Sequence, residues 1–575
     1  MAKQLNADQK TVSQIFTECK KAFRIPEYQR PYSWERDECR TLWDDLYEFA
    51  FPDENDFKKF DVDEEAYFMG TILTYKNSSK EYDVIDGQQR LVTFMLMLRA
   101  FYEAFGSAQD ESTKNIRKKI EQCLWYVDED EKPDKDSLKL KYQVIADEES
   151  AELKTILKTG KSTPKNKSNY AKNYRLFQRW ISDLNAEKPG YLLYLVRRIL
   201  NNCILLPIEA DNQNTALRIF TTLNDAGRPL EDSDIFKAQF YKYYLNRGSD
   251  EKDKFVERWK ELEELCNKNF HPRSGSKINE LFRHYMYYLL AKNNAKKVNR
   301  DLRDYYEKDG YKVLQSNETF EDLITLANFW EDVSTRKTER FSPRVLRRLY
   351  VLSLVTYNIW AYAVSIYFIG NRELDEEKFY NFLKKIMAML LMRVITDPGI
   401  ASIQYPFFVE FQNILYGRPL EFKYFKQNEE ILRNRIKQTN FSNQRAITFS
   451  MLAWWTFQNP AQELPPLGVE LQIEHILPKK RQELHHVLSN PDALEFLGNK
   501  SLLEKNINIR AADYRLVDKK IFYHGDGKSK PGTFNLELRG LAETHDDFTE
   551  EDISERNEKI FDAFIEYLRG NDLLI

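Results

Sequence analysis

Residues 67–75, YFMGTILTY, and 81–85, EYDVI, are dense in β-branched and aromatic residues. A polar stretch at Asn77–Lys80 separates them, which predicts two paired strands joined by a turn. The second strand runs straight into Asp86, Gly87, Gln88, Gln89 and Arg90, after which the apolar run LVTFMLML resumes, and the length of 90–104 predicts a helix. CILLPIE at 203–209 predicts another buried strand, and Gly227–Pro229 a turn after it. From about 240 to 440 apolar residues recur every three or four positions with little Gly or Pro, a helical pattern. Val351–Ile369 is long enough to suggest a membrane span, but Ser353, Thr356, Asn358 and Ser365 interrupt it, and a buried helix is expected. The stretches 106–135 and 157–172 are polar, and LKTGKSTPKNKSNYAK predicts an exposed, mobile loop. Towards the C-terminus VELQIEHILP alternates at Val469, Leu471 and Ile473 and is closed by Pro478, a strand pattern. Thr549 with Asp552 three residues later forms a variant capping box for a last helix, with Ile553, Ile560, Phe561, Phe564, Ile565 and Leu568 on one face.

Composition narrows the class. At 575 residues, two to four domains are expected; 42% hydrophobic and 31% charged residues describe a soluble globular chain without repeats. A net charge of −4 excludes a protein that coats nucleic acid by bulk charge, while leaving room for a local basic groove. Five scattered cysteines with no CxxC pair fit a reducing cytoplasm and argue against a cysteine zinc site. The N-terminus lacks a signal-peptide pattern, so a cytoplasmic location is expected.

The interruption at 86–90 has two readings. It is either a solvated turn capping a helix, or a ligand site built at a helix N-terminus, where unpaired N–H groups favour an anion. In the second reading Gly87 permits close backbone approach, Gln88 and Gln89 donate amide hydrogens, and Arg90 supplies a fork-shaped cation. Asp86 would repel a bare phosphate; it makes sense if it holds a bridging metal ion or polarises a water. IPEYQRPYSW, residues 25–34, adds Tyr28, Gln29 and Arg30 between two prolines that hold the backbone extended.

Together these stretches, with the intervening GTI and the segment ALRIFTTLNDAGRPLEDSDI at 216–235, resemble the GmrS-type domain of the GmrSD modification-dependent restriction enzymes over residues 10–245. That domain is related to the ParB and sulfiredoxin nucleotide-binding folds. The resemblance implies binding and hydrolysis of a nucleoside triphosphate, GTP or another NTP, with Asp86, Gly87, Gln88, Gln89 and Arg90 at the nucleotide and Tyr28, Gln29 and Arg30 nearby. Glu27 departs from the family's apolar or proline residue. No Walker A motif occurs, which excludes a P-loop NTPase, and Gln where sulfiredoxin-like chemistry needs Cys excludes that branch. The first histidine is His271, so N-terminal chemistry must proceed without imidazole.

A second constellation lies near the C-terminus. Glu474-His475, then Asn499 in LGNKSLL, then Asn508 resemble an HNH, or ββα-metal, nuclease and in particular the GmrD-type domain, over about 440–575. The resemblance implies that His475 activates water, that Asn499 fixes the loop between the strands, and that Glu474 and Asn508 hold a divalent ion. An oxygen-rich ligand set favours Mg²⁺ or Mn²⁺ over zinc. Lys500 replaces the family's apolar residue, Asp513 stands where an Asn is common, and Lys519 or Lys520 matches a lysine that could meet phosphate or backbone. His485 and His486 read as loop or helix residues, and His524, in the glycine-rich HGDGKSKPG, as part of a mobile loop.

The expected fold is therefore mixed and mostly α: a ParB/sulfiredoxin-like α/β domain at 1–245, a helical connecting domain at 246–439, and an HNH nuclease domain at 440–575. The expected function is an NTP-dependent DNA endonuclease of anti-phage defence acting on modified double-stranded phage DNA, with hydrolysis gating the cut. A two-strand cut by a one-site nuclease would favour a homodimer. Two alternatives are a ParB-like DNA clamp with an inactive nuclease domain and a non-specific abortive-infection nuclease.

Overall fold

The computed structural model describes the chain except residues 1–7, 19–21, 54–55, 57–59, 61–64, 78, 107–109, 129–131, 145–148, 163–166, 213–214, 217–218, 220–230, 271–275, 296–300, 356 and 526–530. Most of the family-like segment 216–235, with the Gly227–Pro229 turn, and His271 therefore lie outside the described residues. The chain is mostly helical, with an α/β region at its N-terminal end. It divides into two compact units, Met1–Lys260 and Glu261–Ile575.

The first unit is built on a mixed six-stranded sheet in the order β1-β8-β3-β4-β2-β7. Its strands are β1 (Lys10–Thr11), β2 (Phe23–Ile25), β3 (Tyr67–Lys76), β4 (Tyr82–Asp86), β7 (Leu140–Tyr142) and β8 (Cys203–Ala210). β3 and β4 are the expected antiparallel pair. Their turn is set by Asn77, whose Oδ1 accepts the backbone N–H groups of Ser79 and Glu81, and by Lys80 at φ +63°. β8 adds in parallel to β3, and β2 lies parallel to both β4 and β7. A separate hairpin, β5 (Trp125–Val127) with β6 (Pro133–Leu138), falls between β4 and β7 in chain order.

Helix α3 (Gln88–Ala104) explains the uninterrupted run LVTFMLML. Phe94, Met95, Leu96, Met97 and Leu98 are all wholly buried, so the helix is enclosed on every side and needs no polar face. It packs against α4 (Glu111–Leu124), α5 (Ser150–Thr159) and α6 (Asn169–Glu187), and Trp43 of α2 (Arg36–Ala50) stacks on its Phe101; α7 (Tyr191–Asn202) packs on α2. The polar stretch at 157–172 is not one loop: α5 extends to Thr159, and Ser168 caps α6 by accepting the Ala171 N–H. Both helices turn apolar residues inward, so local polarity at their junction hid them. α8 (Asp232–Leu245) and α9 (Ser249–Asn269) follow.

The second unit is helical up to residue 456. The apolar run at 351–369 is not a single helix: α12 (Pro343–Ser353) ends and α13 (Ile359–Gly370) begins within it, beside α10 (Lys277–Lys292), α11 (Asn317–Ser334) and α14 (Glu376–Thr396). Among the described residues no helix is long and apolar enough to cross a membrane. After α15 (Ala446–Thr456) comes an antiparallel pair, β9 (Leu471–His475) and β10 (Lys500–Glu504), in which His475 faces Lys500 and Glu474 faces Ser501. Val469 lies two residues before the strand that its alternation suggested. Helices α16 (Lys479–His485), α17 (Lys505–Ala511), α18 (Leu516–His524), α19 (Leu536–Thr544) and α20 (Glu550–Arg569) complete the unit. His524, expected in a mobile loop, is instead the last residue of α18. α20 begins with the expected capping box and buries the expected face.

Candidate functional site

In the first unit β4 ends at Asp86, and Gly87 turns the chain into α3 with φ +89°, a left-handed conformation that favours glycine. A Cβ there would also press on Thr71 O and the Ile72 side chain at 3.3 Å. The five motif residues then divide by what their side chains touch. Gln89 accepts the backbone N–H groups of Ser33 (2.8 Å) and Trp34 (3.3 Å) and donates to Pro31 O (3.1 Å). Gln29 donates from the other side to Val84 O at 3.2 Å. These two amides bind IPEYQRPYSW to the strand–turn–helix, and Tyr32 tightens the joint through Thr93 (2.7 Å) and Asn173 (3.0 Å). Removing the Gln89 amide leaves three backbone groups without a partner, so Gln89→Ala is expected to lower unfolding stability by about 2 kcal/mol in urea titration.

The remaining groups are less fully paired within the protein. Burial raises the Asp86 carboxyl above the usual carboxylate range, against the Gly87 N–H and the charges of Arg90 and Arg30. Burial likewise lowers Arg90, which Asp86 opposes; its guanidinium donates to Thr71 O at 2.7 Å and lies against Gly70. Gln88 Oε1 and Arg30 Nε are buried without a hydrogen-bond partner among the described residues. Two unpartnered polar atoms beside a buried acid and a buried guanidinium, at a helix N-terminus, form a polar cradle rather than a solvated turn. Tyr28 packs on Tyr241 of α8 with ring centres 5.3 Å apart. The unusual Glu27 accepts the Tyr241 hydroxyl (2.7 Å) and pairs with Lys252 of α9 (2.9 Å), so its charge serves to anchor the loop.

In the second unit β9, β10 and α17 form a strand–strand–helix unit that, with the loop before β10, carries Glu474, His475, Asn499 and Asn508. Asn499 is fully buried; it accepts the Leu477 N–H (2.8 Å) and donates to Leu477 O and Leu494 O (3.1 Å each), tying the long inter-strand loop to the end of β9. His475 Nε2 is buried without a hydrogen-bond partner and lies 3.7 Å from Glu495 Oε1. Burial, helped by the charges of Lys500, Lys519 and Lys479, pushes its pKa down to about 4, so the imidazole is neutral at pH 7. Lys500, wholly buried, donates to Glu495 (2.5 Å) and Phe441 O (2.6 Å) and so holds Glu495 beside His475.

Glu474 and Gln472 share one face of β9 by strand alternation. Burial raises the Glu474 carboxyl, while Lys519 (2.5 Å) and the Tyr523 hydroxyl (2.8 Å) bind its Oε1. Asn508 donates to Gln472 Oε1 at 3.1 Å, which places it on that same face with its own Oδ1 uncommitted among the described residues. Lys519 is therefore engaged internally, and Lys520 pairs with Asp546 at 2.8 Å. The described residues contain no group of three or more His, Cys, Asp or Glu side chains set to hold a metal. An ion here would rest on the Glu474 and Asn508 oxygens with water completing its shell, a hard-donor arrangement that suits Mg²⁺ or Mn²⁺.

Residues 12–241 match the N-terminal domain of the GmrSD restriction endonuclease. This segment belongs to the GmrSD family. A comparison of the chain with curated proteins finds no match.

The GmrSD N-terminal domain thus coincides with the unit that carries the buried cradle. Outside it, residues of the last helix support the second site; Arg556, with Ile553, stands where the resemblance to the GmrD-type domain places it, and the structure adds its contacts. Arg556 of α20 donates to Leu497 O (2.9 Å), Gly498 O and Lys500 O (2.8 Å each), and Asn557 accepts the Gly498 N–H (3.2 Å). A Cβ on Gly498 would stand 2.0 Å from Ile553 O. Gly498→Ala is therefore expected to destabilise the second unit by about 3 kcal/mol, read as a lower urea midpoint.

Proposed function

We propose that this chain is an NTP-dependent DNA endonuclease of anti-phage defence, in which hydrolysis at the first site gates cleavage at the second. The single observation that supports it most is the neutral, buried and unpartnered His475 Nε2 at the end of the first strand of a strand–strand–helix unit, in the same chain as a GmrSD N-terminal domain. In this reading the first unit is a ParB/sulfiredoxin-like nucleotide domain, and residues 440–575 form the HNH nuclease domain, with 246–439 connecting them.

At the nucleotide, Arg90 and Arg30 offset phosphate charge, Gln88 donates an amide hydrogen, and Asp86 orients water or a phosphate-bound cation. Gln29, Gln89 and Gly87 hold that geometry, and Tyr28 backs the loop. At the DNA, His475 takes the proton of the attacking water. Asn499 ties the inter-strand loop to the end of β9, where the imidazole sits. Glu474 and Asn508 would hold Mg²⁺ or Mn²⁺, which supplies charge neutralisation at the scissile phosphate. Two chemistries on separate residues can be linked only through conformation.

The test is a cleavage panel: the wild-type chain with Mg²⁺, each NTP, and modified or unmodified double-stranded phage DNA. NTP-stimulated cutting of a modified DNA supports the proposal. Hydrolysis without cutting any DNA would replace it with a nucleotide-switched DNA clamp.

A further inference from the structure

The second unit contains a cavity of about 390 Å³ that neither candidate site uses. That volume lies within the range of small-molecule sites, roughly 300–1,000 Å³. It is bounded by α10, α11, α12 and α13, and its inner wall is aromatic: Phe270, Trp330 and Trp360 are each less than one-tenth exposed. The rings stand edge-on to one another, with Trp330 and Trp360 centres 5.7 Å apart at 70° and Phe270 near-perpendicular to His284 at 5.3 Å. They line a slot without filling it by stacking on each other.

A carboxylate also lines this apolar slot. Glu280 is buried, accepts the Tyr362 hydroxyl on Oε1 (2.8 Å), and has Arg283 at 3.6 Å from Oε2. Burial raises this carboxyl, so a donor arriving from the cavity would stabilise its charge. A relay of polar groups ends beside the carboxylate. Trp330 Nε1 donates to Ser365 Oγ (2.9 Å), and Ser365 meets His284 Nδ1 (2.7 Å). With the Ser365 proton given to Nδ1, the hydrogen of the neutral His284 sits on Nε2, which is 3.7 Å from Glu280 Oε1. A plain packing gap would not retain a carboxylate, because burying the charge costs several kcal/mol unless partners offset it.

An ionised carboxylate only accepts, and it takes two parallel N–H donors in one plane. Among the standard nucleobases, guanine alone presents two adjacent donors, N1–H and N2–H, on its Watson–Crick edge; none of the others has two donors side by side there. Aromatic walls then cover the ring faces. We propose that this cavity is a guanine-binding site, with Glu280 receiving N1–H and N2–H and Phe270, Trp330 and Trp360 enclosing the ring. The guanine could be that of a free nucleoside or one turned out of a DNA duplex, since the recognising edge is the same.

The proposal does not rest on the nuclease reading, and its test avoids the triphosphate site by using guanosine, which has no phosphate. Calorimetric titration of the full chain is run with guanosine, adenosine and methylguanidinium. Duplex DNA is titrated with one guanine opposite an abasic site, beside a fully paired control. Guanosine is expected to bind at least tenfold more tightly than adenosine, and Glu280→Gln to weaken it tenfold or more. Ser353→Trp, at the exposed rim, closes the mouth without touching the relay and should abolish binding at an unchanged melting temperature. Glu280- and rim-dependent preference for the unpaired guanine, without free guanosine binding, would assign the DNA source and still support the site. Binding of neither guanine form, binding of methylguanidinium alone, or binding indifferent to both substitutions would overturn it.

Discussion

His475→Ala is expected to lower DNA cleavage by about a thousandfold while leaving NTP hydrolysis within about twofold of the wild-type rate. The size follows from what the residue offers. Its Nε2 is buried and unpartnered, and burial with three nearby lysines keeps the ring neutral, so it can accept a proton without first losing one. The substitution should leave the fold in place. The loop around the site is tied by Asn499 to Leu477 and Leu494 and by Arg556 to Leu497, Gly498 and Lys500, and none of these bonds uses the imidazole. Rates of plasmid and phage-DNA cutting, with a thermal melt of the variant, provide the check. A variant that cuts at the wild-type rate would remove His475 from the chemistry.

Asp86→Asn is expected to reduce NTP hydrolysis by about a hundredfold or more, and NTP-stimulated DNA cleavage with it. Asn keeps the shape and can still accept the Gly87 N–H, so the strand–turn–helix should persist. What disappears is the negative charge between Arg90 and Arg30 that could orient a water or a phosphate-bound cation. Phosphate release and nucleotide binding should be measured separately. Binding that survives while hydrolysis falls supports the assigned role, and hydrolysis at the wild-type rate would refute it. Retained cleavage without hydrolysis would show instead that the second site works ungated.

The two sites differed in how far local residues could reveal them. At the first, IPEYQRPYSW and DGQQRL are visible in the chain, but the division of labour among their side chains is not. Gln29 and Gln89 are chemically equivalent to Gln88 as amides. Only the pairing of β4 beside β2 sets the first two against backbone groups and leaves Gln88 Oε1 bare. Glu27 is a charge in an apolar context until Tyr241 and Lys252, more than two hundred positions later, arrive beside it. At the second, strand alternation separates Glu474 from its neighbour His475, and the helix after β10 decides which face receives Asn508.

The sequence by itself determined the elements whose causes are local. The β-branched pair around Asn77–Lys80, the strand at 203–209, the helical stretch after 240 and the capped last helix all follow from side-chain pattern and backbone preference within a few residues. Tertiary structure alone decided what depends on distant partners. It broke the apolar run at 351–369 into two helices and folded polar 150–159 and 169–187 as helices against a core. It also removed water from Asp86, Glu474 and His475. The physical reason is desolvation: periodicity is written in neighbouring residues, whereas the loss of water that shifts a titrating group is imposed by side chains that meet it only after the chain has folded.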